Sequence, residues 1–317
     1  MSKLITVFGA TGNQGGSVIE TILADAVLSK EFKIRGITRD ASKPAAQDLK
    51  SKGVEIVTAD MSDPTTLATA LKGSHTVFLV TKPAYGAGPP DAELIYAKSV
   101  ADACKNAGGI QHLIFSSLPH VTNESGGRLT HVPHWDHKAE AEAYMRSAGL
   151  PATFVLPAYF MTNYTAVGFL KKGSDGVYTL RYPVGADARI PLLDCNADLG
   201  RYVCACIKRR DRVLGARVLA AADYYTPARI VAEFEEVTGR PARYLQVDPQ
   251  TYKDTFPIPG VPDWMLTEML ETHQFLEESG YFSGADLKKN GLDLLAEAGY
   301  RSTSWKEFLT RQKDSIA

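Results

Sequence analysis

Residues 4–16 read LITVFGATGNQGG, and this stretch decides how the first half of the 317-residue chain is interpreted. A short apolar run, typical of a buried β-strand, is followed by Gly9, Gly12 and Gly15 at three-residue spacing. The next run, VIETILADAVL, has the periodicity of an amphipathic helix. Glycines at such a turn let the backbone approach a pyrophosphate, and the N–H groups at the helix N-terminus attract its charge. The stretch therefore predicts a dinucleotide-binding strand–turn–helix unit.

The same alternation of strand and helix continues through the first half of the chain. The predicted strands are the apolar runs TVF, KIRGIT, VEIVTA, HTVFLVT, IQHLIFSS and PATFVL. The predicted helices span Gln14–Leu28, Pro44–Lys52, Pro64–Leu71, Asp91–Ala107 and His134–Ala148. Continuous apolar strands are typical of a parallel sheet that is covered on both faces. The pattern predicts an α/β fold with a doubly wound, Rossmann-type parallel sheet of six strands.

The pattern changes after Pro157, where aromatic residues, proline and glycine become dense. Helices are predicted at Ala197–Lys208, Thr226–Thr238 and around Asp263–Glu278, and short strands at Val218–Ala222 and Arg243–Val247. We expect residues 1–157 to form the Rossmann domain. Residues 158–317 are expected to form mainly a smaller α+β lobe, with some segments returning to the Rossmann domain.

Composition excludes several classes of protein. The net charge is −1, with 35 basic and 36 acidic residues. This balance gives no positive electrostatic field that would attract nucleic acid or an acidic membrane. The four cysteines form no CxxC pair and are expected to be reduced and buried. No signal-peptide pattern or membrane-spanning apolar run is present. We expect a soluble protein of the cytoplasm, with the nucleus as a further possibility, that binds neither nucleic acid nor membrane.

The glycine pattern is G-x-x-G-x-x-G, and the Lys-Ser/Thr that would complete a P-loop does not follow it. A structural turn that holds no ligand is the alternative, and the six strand–helix units around the loop make it the weaker one. The residues of this loop expected to contact the cofactor are Gly9, Thr11, Gly12, Asn13, Gln14 and Gly15.

Four segments together resemble the NmrA-like family, whose members are atypical extended short-chain dehydrogenases. They are GATGNQGG, ITRD after the second strand, TADMSD after the third, and HWDHKAEAEAYMRSAGLPATFVLPAYF. The resemblance covers most of the chain and is densest over residues 4–163. It implies a Rossmann domain that binds NADP(H), a smaller C-terminal domain, and either a regulatory role or a reductase activity.

The end of the second strand favours NADP(H) over NAD(H). An acidic residue there would hold the ribose hydroxyls of NAD, whereas this chain has Thr38 and Arg39. A guanidinium can pair with a 2′-phosphate, and Lys43 lies close enough to add charge. Asp40 follows at once and is assumed to point away. A solvent-exposed Arg39 without a ligand is the alternative.

Other cofactor contacts are placed by the strand ends. The resemblance implies that Asp60 and Met61 flank the adenine, and Thr81 and Lys82 are expected near the nicotinamide half. Ser116, at the end of the fifth strand, and the residues Pro157, Tyr159 and Phe160, after the sixth, are also expected to contact the cofactor. The resemblance implies that Lys138 contacts the nicotinamide ribose. For the aromatic residues after Pro157, packing within the second lobe is an equally good explanation.

The catalytic set that the resemblance implies is incomplete. Active short-chain dehydrogenases carry a Tyr-x-x-x-Lys pair and a serine after the fifth strand, and the tyrosine transfers a proton. Here Lys138 takes the lysine position, His134 stands four residues earlier, and Leu118 occupies the serine position. His134, Lys138 or both are candidate acid–base groups. Alternatively, Lys138 only binds ribose and no chemistry occurs.

The histidines around position 134 raise two further possibilities, a metal site and a mobile loop. His131, His134 and His137 have the wrong spacing to gather three imidazoles on one helix face, so no metal is expected. The segment 120–137 contains two glycines and several histidines and is expected to act as a flap over the cofactor.

The sequence is compatible with two functions. The missing tyrosine and serine favour a redox sensor that binds NADP(H) and changes its contact with a protein partner. The alternative is an NADPH-dependent reductase of a small carbonyl or conjugated compound that uses Lys138 with His134.

Overall fold

The computed structural model describes residues 2–83, 89–314 and 316. Its strands are β1 (Lys3–Val7), β2 (Phe32–Thr38), β3 (Glu55–Thr58), β4 (Thr76–Leu79), β5 (His112–Ser116), β6 (Ala152–Pro157), β7 (Tyr159–Phe160), β8 (Leu170–Lys172), β9 (Tyr178–Tyr182), β10 (Ile190–Leu193), β11 (Arg217–Ala220), β12 (Asp223–Tyr225) and β13 (Ala242–Gln246).

The helices alternate with these strands through the first half and dominate the second half. They are α1 (Asn13–Ala24), α2 (Leu28–Glu31), α3 (Pro44–Ser51), α4 (Pro64–Leu71), α5 (Ala92–Ala107), α6 (Val121–Glu124), α7 (Pro133–Ser147), α8 (Thr162–Thr165), α9 (Cys195–Lys208), α10 (Arg210–Val213), α11 (Pro227–Thr238), α12 (Pro249–Asp254), α13 (Asp263–Glu278), α14 (Asp293–Glu297) and α15 (Trp305–Gln312). A π-helical turn, Lys288–Leu292, precedes α14.

The main sheet is parallel and has seven strands in the order β11-β6-β5-β4-β1-β2-β3. The strand order reverses between β1 and β4, so the crevice above their carboxyl ends is the switch point at which such sheets bind ligands. The predicted doubly wound Rossmann-type sheet is confirmed.

The first half of the chain supplies six strands of the main sheet, as predicted, and the second half supplies a seventh. The seventh strand, β11, pairs in parallel with β6 and comes from the second half of the chain. It follows α9 and α10, and α9 packs against α1 on the sheet. Two segments beyond residue 157 therefore belong to the main sheet and its helices. The remaining strands form two three-stranded sheets, β12-β10-β7 and β13-β9-β8.

The first helix is shorter than predicted. The carboxylate of Asp25 accepts hydrogen bonds from the N–H groups of Val27 and Leu28, at 3.0 and 2.9 Å, and these bonds turn the chain away from the helical path. The helix therefore ends at Ala24, and α2 begins at Leu28. Among the described residues, no helix is both long and apolar enough to cross a membrane.

Two glycines let α1 pack closely on its neighbours. A Cβ atom on Gly15 would lie 2.3 Å from the carbonyl oxygen of Gly9, whose own φ of +66° also favours glycine. A Cβ atom on Gly200 of α9 would lie 2.1 Å from the carbonyl oxygen of Ser17. The turn, α1 and α9 are thus held together by backbone-to-backbone contact, which fixes the direction of the α1 N-terminus.

We predict that Gly15→Ala destabilises the protein by about 2 kcal/mol, because the new methyl group must displace the backbone at Gly9. The control is Gly16→Ala, at which the added Cβ meets its nearest atom, Ala10 O, at 3.7 Å. That variant should be neutral or more stable by up to about 1 kcal/mol, since alanine favours the helix. Urea unfolding of both variants measures the difference, and equal stabilities would contradict the packing argument.

Candidate functional site

The glycine turn presents an open face at the carboxyl edge of the sheet. Gly12 is the N-cap residue of α1 and has no side chain with which to cap the helix. Thr11, Gly12 and Asn13 are exposed. The side-chain oxygen of Gln14 is buried and has no hydrogen-bond partner in the described part of the chain. Gly9 and Gly15 serve packing, so Gly12 is the glycine that leaves room for a ligand.

The end of β2 presents an exposed cation. Arg39 and Lys43 are both exposed, and the charge of Arg39 reaches Asp60 at the end of β3. Hydrogen bonds from Ser62 hold the pKa of Asp60 below its usual value, and Arg39 lowers it further. Met61 beside them is half-buried.

Asp40, the residue that most weakens the case for a phosphate site, is engaged locally. Its Oδ1 accepts hydrogen bonds from the Ser42 N–H at 2.9 Å and from the Ser42 hydroxyl at 2.6 Å. These bonds hold the pKa of Asp40 below its usual value. The carboxylate is thus turned into its own loop.

Lys138 is buried at the end of β4. Its Nζ donates to the Thr81 carbonyl oxygen at 3.1 Å and to Thr81 Oγ1 at 2.8 Å, and it pairs with Glu93 Oε1 at 2.7 Å. Thr81 Oγ1 donates to the same Glu93 oxygen at 2.7 Å. Lys138 and Glu93 are 6% and 2% exposed, so this is a buried ion pair. Lys82, the next residue after Thr81, is exposed.

The two serines at the end of β5 differ in their partners. Ser117 donates to Glu142 Oε2 at 2.7 Å and is part of a structural network. The hydroxyl of Ser116 is buried and unpartnered among the described residues, which suits a residue that faces a ligand. Leu118 is buried in the core.

His134 and His131 both contact helix α13 of the second half. His134 Nδ1 hydrogen-bonds Glu268 Oε1, and Glu268 is 1% exposed. His131 Nδ1 lies 2.5 Å from Glu271 Oε1, and its backbone N–H donates to Glu271 Oε2 at 2.7 Å. His134 Nε2 has no hydrogen-bond partner among the described residues, so this nitrogen remains available.

The segment 120–137, which was expected to form a flap, is anchored rather than open. It contains the short helix α6, and Glu124 accepts a hydrogen bond from the Ser283 hydroxyl at 2.7 Å. Trp135 packs against Phe275 and Tyr281. In the part of the chain that the structure describes, no three His, Cys, Asp or Glu side chains are grouped to hold a metal ion.

The aromatic residues after β6 divide between two environments. Tyr159 is buried, and its hydroxyl lies 3.1 Å from the Tyr182 hydroxyl and 3.3 Å from His273 Nε2. The Pro157 carbonyl accepts a hydrogen bond from Tyr281, and Phe160 is half-buried. The ring of Tyr159 therefore packs within the second half, whereas Pro157 ends β6 of the main sheet and Phe160 lies in β7 of a three-stranded sheet.

The donor set fits a dinucleotide. The uncapped N-terminus of α1 suits a pyrophosphate, and Arg39 suits a phosphate on the adenine side. Three buried polar atoms at this edge have no partner in the described residues: Gln14 Oε1, Ser116 Oγ and Glu93 Oε2. Buried polar atoms are normally paired, so these three atoms are the ones at this edge whose hydrogen bonds a ligand could complete.

A model described as the NmrA-like family matches residues 1–309. The chain belongs to the NmrA-like family. Two curated relatives are named NmrA-like family domain-containing oxidoreductases. FrzB of Cladobotryum sp is 30% identical and aligns over 83% of this chain and 81% of its own length. MalD of Malbranchea aurantiaca is 32% identical over 77% of this chain and 76% of its own.

Solved structures with this fold include a transcriptional regulator and an oxidoreductase. NmrA, a negative transcriptional regulator in complex with NADP, aligns with a TM-score of 0.82 at 23% identity over 99% of this chain and 96% of its own. The NADPH-dependent quinone oxidoreductase QOR2 of Escherichia coli, complexed with NADPH, aligns with a TM-score of 0.75 at 22% identity over 97% and 99%. At these identities the likeness shows the shared fold.

Three functional candidates of this NmrA-like protein were missed by the sequence analysis: Glu93, Glu268 and Glu271. Glu93 lies in the first turn of α5, where an acidic residue is usually explained by the helix dipole. Glu268 and Glu271 lie more than 130 residues from their histidine partners. Only the three-residue spacing shared by His131/His134 and Glu268/Glu271 was present as a signal in the sequence.

The buried His273 predicts a pH dependence of stability. Burial lowers its pKa from 6.5 to about 4, so the folded protein holds it neutral. The unfolded chain gains this proton below about pH 6.5, so folding stability falls as pH drops from 6.5 to 4, by about 3 kcal/mol.

Urea unfolding of His273→Asn between pH 7 and 4 should show a shallower loss of stability than the unmodified protein, because the titrating group is gone. Tyr252→Phe is the control, since it removes a hydroxyl 3.0 Å from His273 without removing the imidazole. Its stability should differ from the unmodified protein by a similar amount at both pH values. An unchanged pH slope in His273→Asn would contradict the assignment.

Proposed function

We propose that this protein binds NADP(H) and transmits the occupancy of that site to its C-terminal half, as a redox-sensing regulator. One observation carries the proposal: helix α7 contacts both regions. Lys138 joins it to the cofactor edge at Thr81 and Glu93, and His134, one turn earlier, joins it to Glu268 of α13. A ligand that shifts α7 must therefore also act on α13.

The choice of cofactor rests on Arg39. The structures of NmrA include complexes with both NADP and NAD, so family membership alone does not select between them. In this chain the exposed Arg39 and Lys43 stand where an acidic residue would be needed for NAD. Asp40 is turned toward Ser42, which leaves the positive charges to dominate. This arrangement supports a preference for NADP(H).

The regulatory role is supported by how the catalytic candidates are held. Lys138 is fully engaged by buried partners, and no tyrosine occupies position 134. A carbonyl reduction would lack its usual proton donor, and general acid catalysis typically contributes about 10²–10⁴-fold. The partner of such a regulator would be another protein that contacts the C-terminal half.

A reductase of a small carbonyl or conjugated compound is the second candidate, and the His134–Glu268 pair favours it. A carboxylate that holds one imidazole nitrogen orients the ring and leaves the other nitrogen free to give or take a proton. His134 Nε2 is free in this sense among the described residues. The curated relatives are also named oxidoreductases.

We predict that Arg39→Ala weakens NADPH binding by about 1.5–3 kcal/mol, the scale of a hydrogen bond to a charged group, and leaves NADH binding nearly unchanged. Lys33→Ala, an exposed cation on the same strand but away from its carboxyl end, is the control and should change neither affinity. Isothermal titration measures both ligands. Equal affinities for NADPH and NADH in the unmodified protein would refute the preference.

Hydrogen exchange tests the coupling. NADPH should protect the glycine turn, the segment 120–137 and α13 from exchange, because a ligand stabilises the state that it binds better. In Glu268→Ala, which removes the contact with His134, the glycine turn should still become protected, whereas α13 should not. Protection of the glycine turn alone in the unmodified protein would contradict the regulatory proposal.

Turnover separates the two functions. NADPH oxidation should be negligible across a panel of aldehydes, ketones, enones and quinones. Turnover at about 1 s⁻¹ or faster, lost in His134→Asn while NADPH still binds, would replace the regulatory proposal with the reductase.

A further inference from the structure

The ammonium group of Lys138 has no hydrogen-bond donor left for a ligand. An ammonium carries three N–H donors. Three acceptors surround it: the Thr81 carbonyl oxygen, Thr81 Oγ1 and Glu93 Oε1, at 3.1, 2.8 and 2.7 Å. The role that the family resemblance implies for Lys138, donation to a ribose hydroxyl, would require one of these bonds to break.

Breaking the bond to Glu93 is unfavourable. Both side chains are more than nine-tenths buried, and removing one partner of a buried ion pair leaves an uncompensated charge. The bonds to Thr81 belong to the same cluster, because Thr81 Oγ1 also donates to Glu93 Oε1. Glu93 Oε1 is therefore bound by both Lys138 and Thr81, which are also hydrogen-bonded to each other.

The second carboxylate oxygen of Glu93 is available to a ligand. Glu93 Oε2 is buried and has no hydrogen-bond partner in the described residues, although Lys138 supplies the positive charge that accompanies a carboxylate. An ionised carboxylate accepts hydrogen bonds on both oxygens, and a buried oxygen without one is costly. A hydroxyl group is the simplest ligand group that would satisfy it, in a charge-assisted hydrogen bond.

The position of Glu93 relative to the sheet identifies the hydroxyl. Thr81, the hydrogen-bond partner of Glu93, follows β4 on one side of the switch point. Arg39 follows β2 on the other side. In a doubly wound sheet the two halves of a dinucleotide lie on the two sides of the switch point. With the adenine half at Arg39, the hydroxyls nearest to Glu93 would belong to the ribose of the nicotinamide half.

We propose that Glu93 Oε2 accepts a hydrogen bond from a hydroxyl of the nicotinamide-side ribose, and that Lys138 acts as the counter-ion of Glu93. Lys138 is then a positioning residue, and Glu93 is the residue that contacts the ligand. This inference rests on the proposed binding of NADP(H).

The test compares NADPH with adenosine 2′,5′-bisphosphate, which lacks the nicotinamide-side ribose. Titration calorimetry of Glu93→Gln should show NADPH affinity reduced about 10-fold or more, because the acceptor loses its charge. Affinity for the bisphosphate should be unchanged, which also shows that the variant is folded. Glu31→Gln, a carboxylate at the opposite edge of the sheet that pairs with Lys3, is the control and should change neither affinity.

The direction of the change in NADPH affinity in Glu93→Gln shows whether Glu93 or Lys138 contacts the ribose. If Lys138 contacts the ribose and Glu93 only competes for it, Glu93→Gln would raise the NADPH affinity, and this result would overturn the proposal. An unchanged NADPH affinity would overturn it as well. If Glu93→Gln does not fold, Glu93→Asp, which withdraws the carboxylate by one methylene group, should show the same selective loss of NADPH affinity.

The double variant Glu93→Gln/Lys138→Met tests the role of the lysine. It should bind NADPH no more weakly than Glu93→Gln, because Lys138 acts through Glu93. A further loss of 10-fold or more would show direct contact by Lys138 and overturn its assignment as a counter-ion.

The unmodified protein gives two further outcomes. Equal affinity for the bisphosphate and NADPH would mean that the nicotinamide-side ribose makes no favourable contact, which would overturn the proposal. An unmodified protein that binds neither would refute the cofactor proposal itself.

Discussion

The close contact between the glycine turn and helix α1 is the constraint on which the site depends. Gly15 lies so near the Gly9 carbonyl that no side chain fits between them, and Gly200 brings α9 equally close to α1. These contacts leave α1 one direction, with its uncapped N-terminus at the switch point of the sheet. Glycine spacing that looks like a ligand signature is thus largely a packing requirement, and the ligand-facing surface is a consequence of that packing.

Local patterns were enough to predict most of the fold. Apolar runs and helical periodicity located all seven strands of the main sheet and the long helices, because burial on both faces of a parallel sheet leaves a strong signal. The pairing of β11 with β6 left no such signal, since a four-residue strand can join any open edge. The break at Asp25 depends on one side chain accepting two N–H groups, which periodicity does not register.

The site was predictable only where it follows the strand ends. The glycine turn, Arg39 and Ser116 were placed at the carboxyl edge by their positions in the sequence, and Lys138 by the family resemblance. Their partners were not, because Glu93 and Glu268 meet Lys138 and His134 through the tertiary fold. Each of these buried carboxylates is matched by a cation or an imidazole, as the cost of burying charge requires. A sequence shows charges, whereas the pairing that decides their role exists only in the folded chain.

The histidine at position 134 changes what this position can do. A tyrosine offers one oxygen, which either takes part in proton transfer or is engaged in structure. An imidazole has two nitrogens, and here one is bound to Glu268 while the other has no partner among the described residues. The same residue can therefore link α7 to the C-terminal half and still face a ligand. That dual capacity is the reason why the loss of the tyrosine does not by itself separate a sensor from an enzyme. What separates them is whether the contact with Glu268 changes when the cofactor binds or holds the ring still while a proton moves.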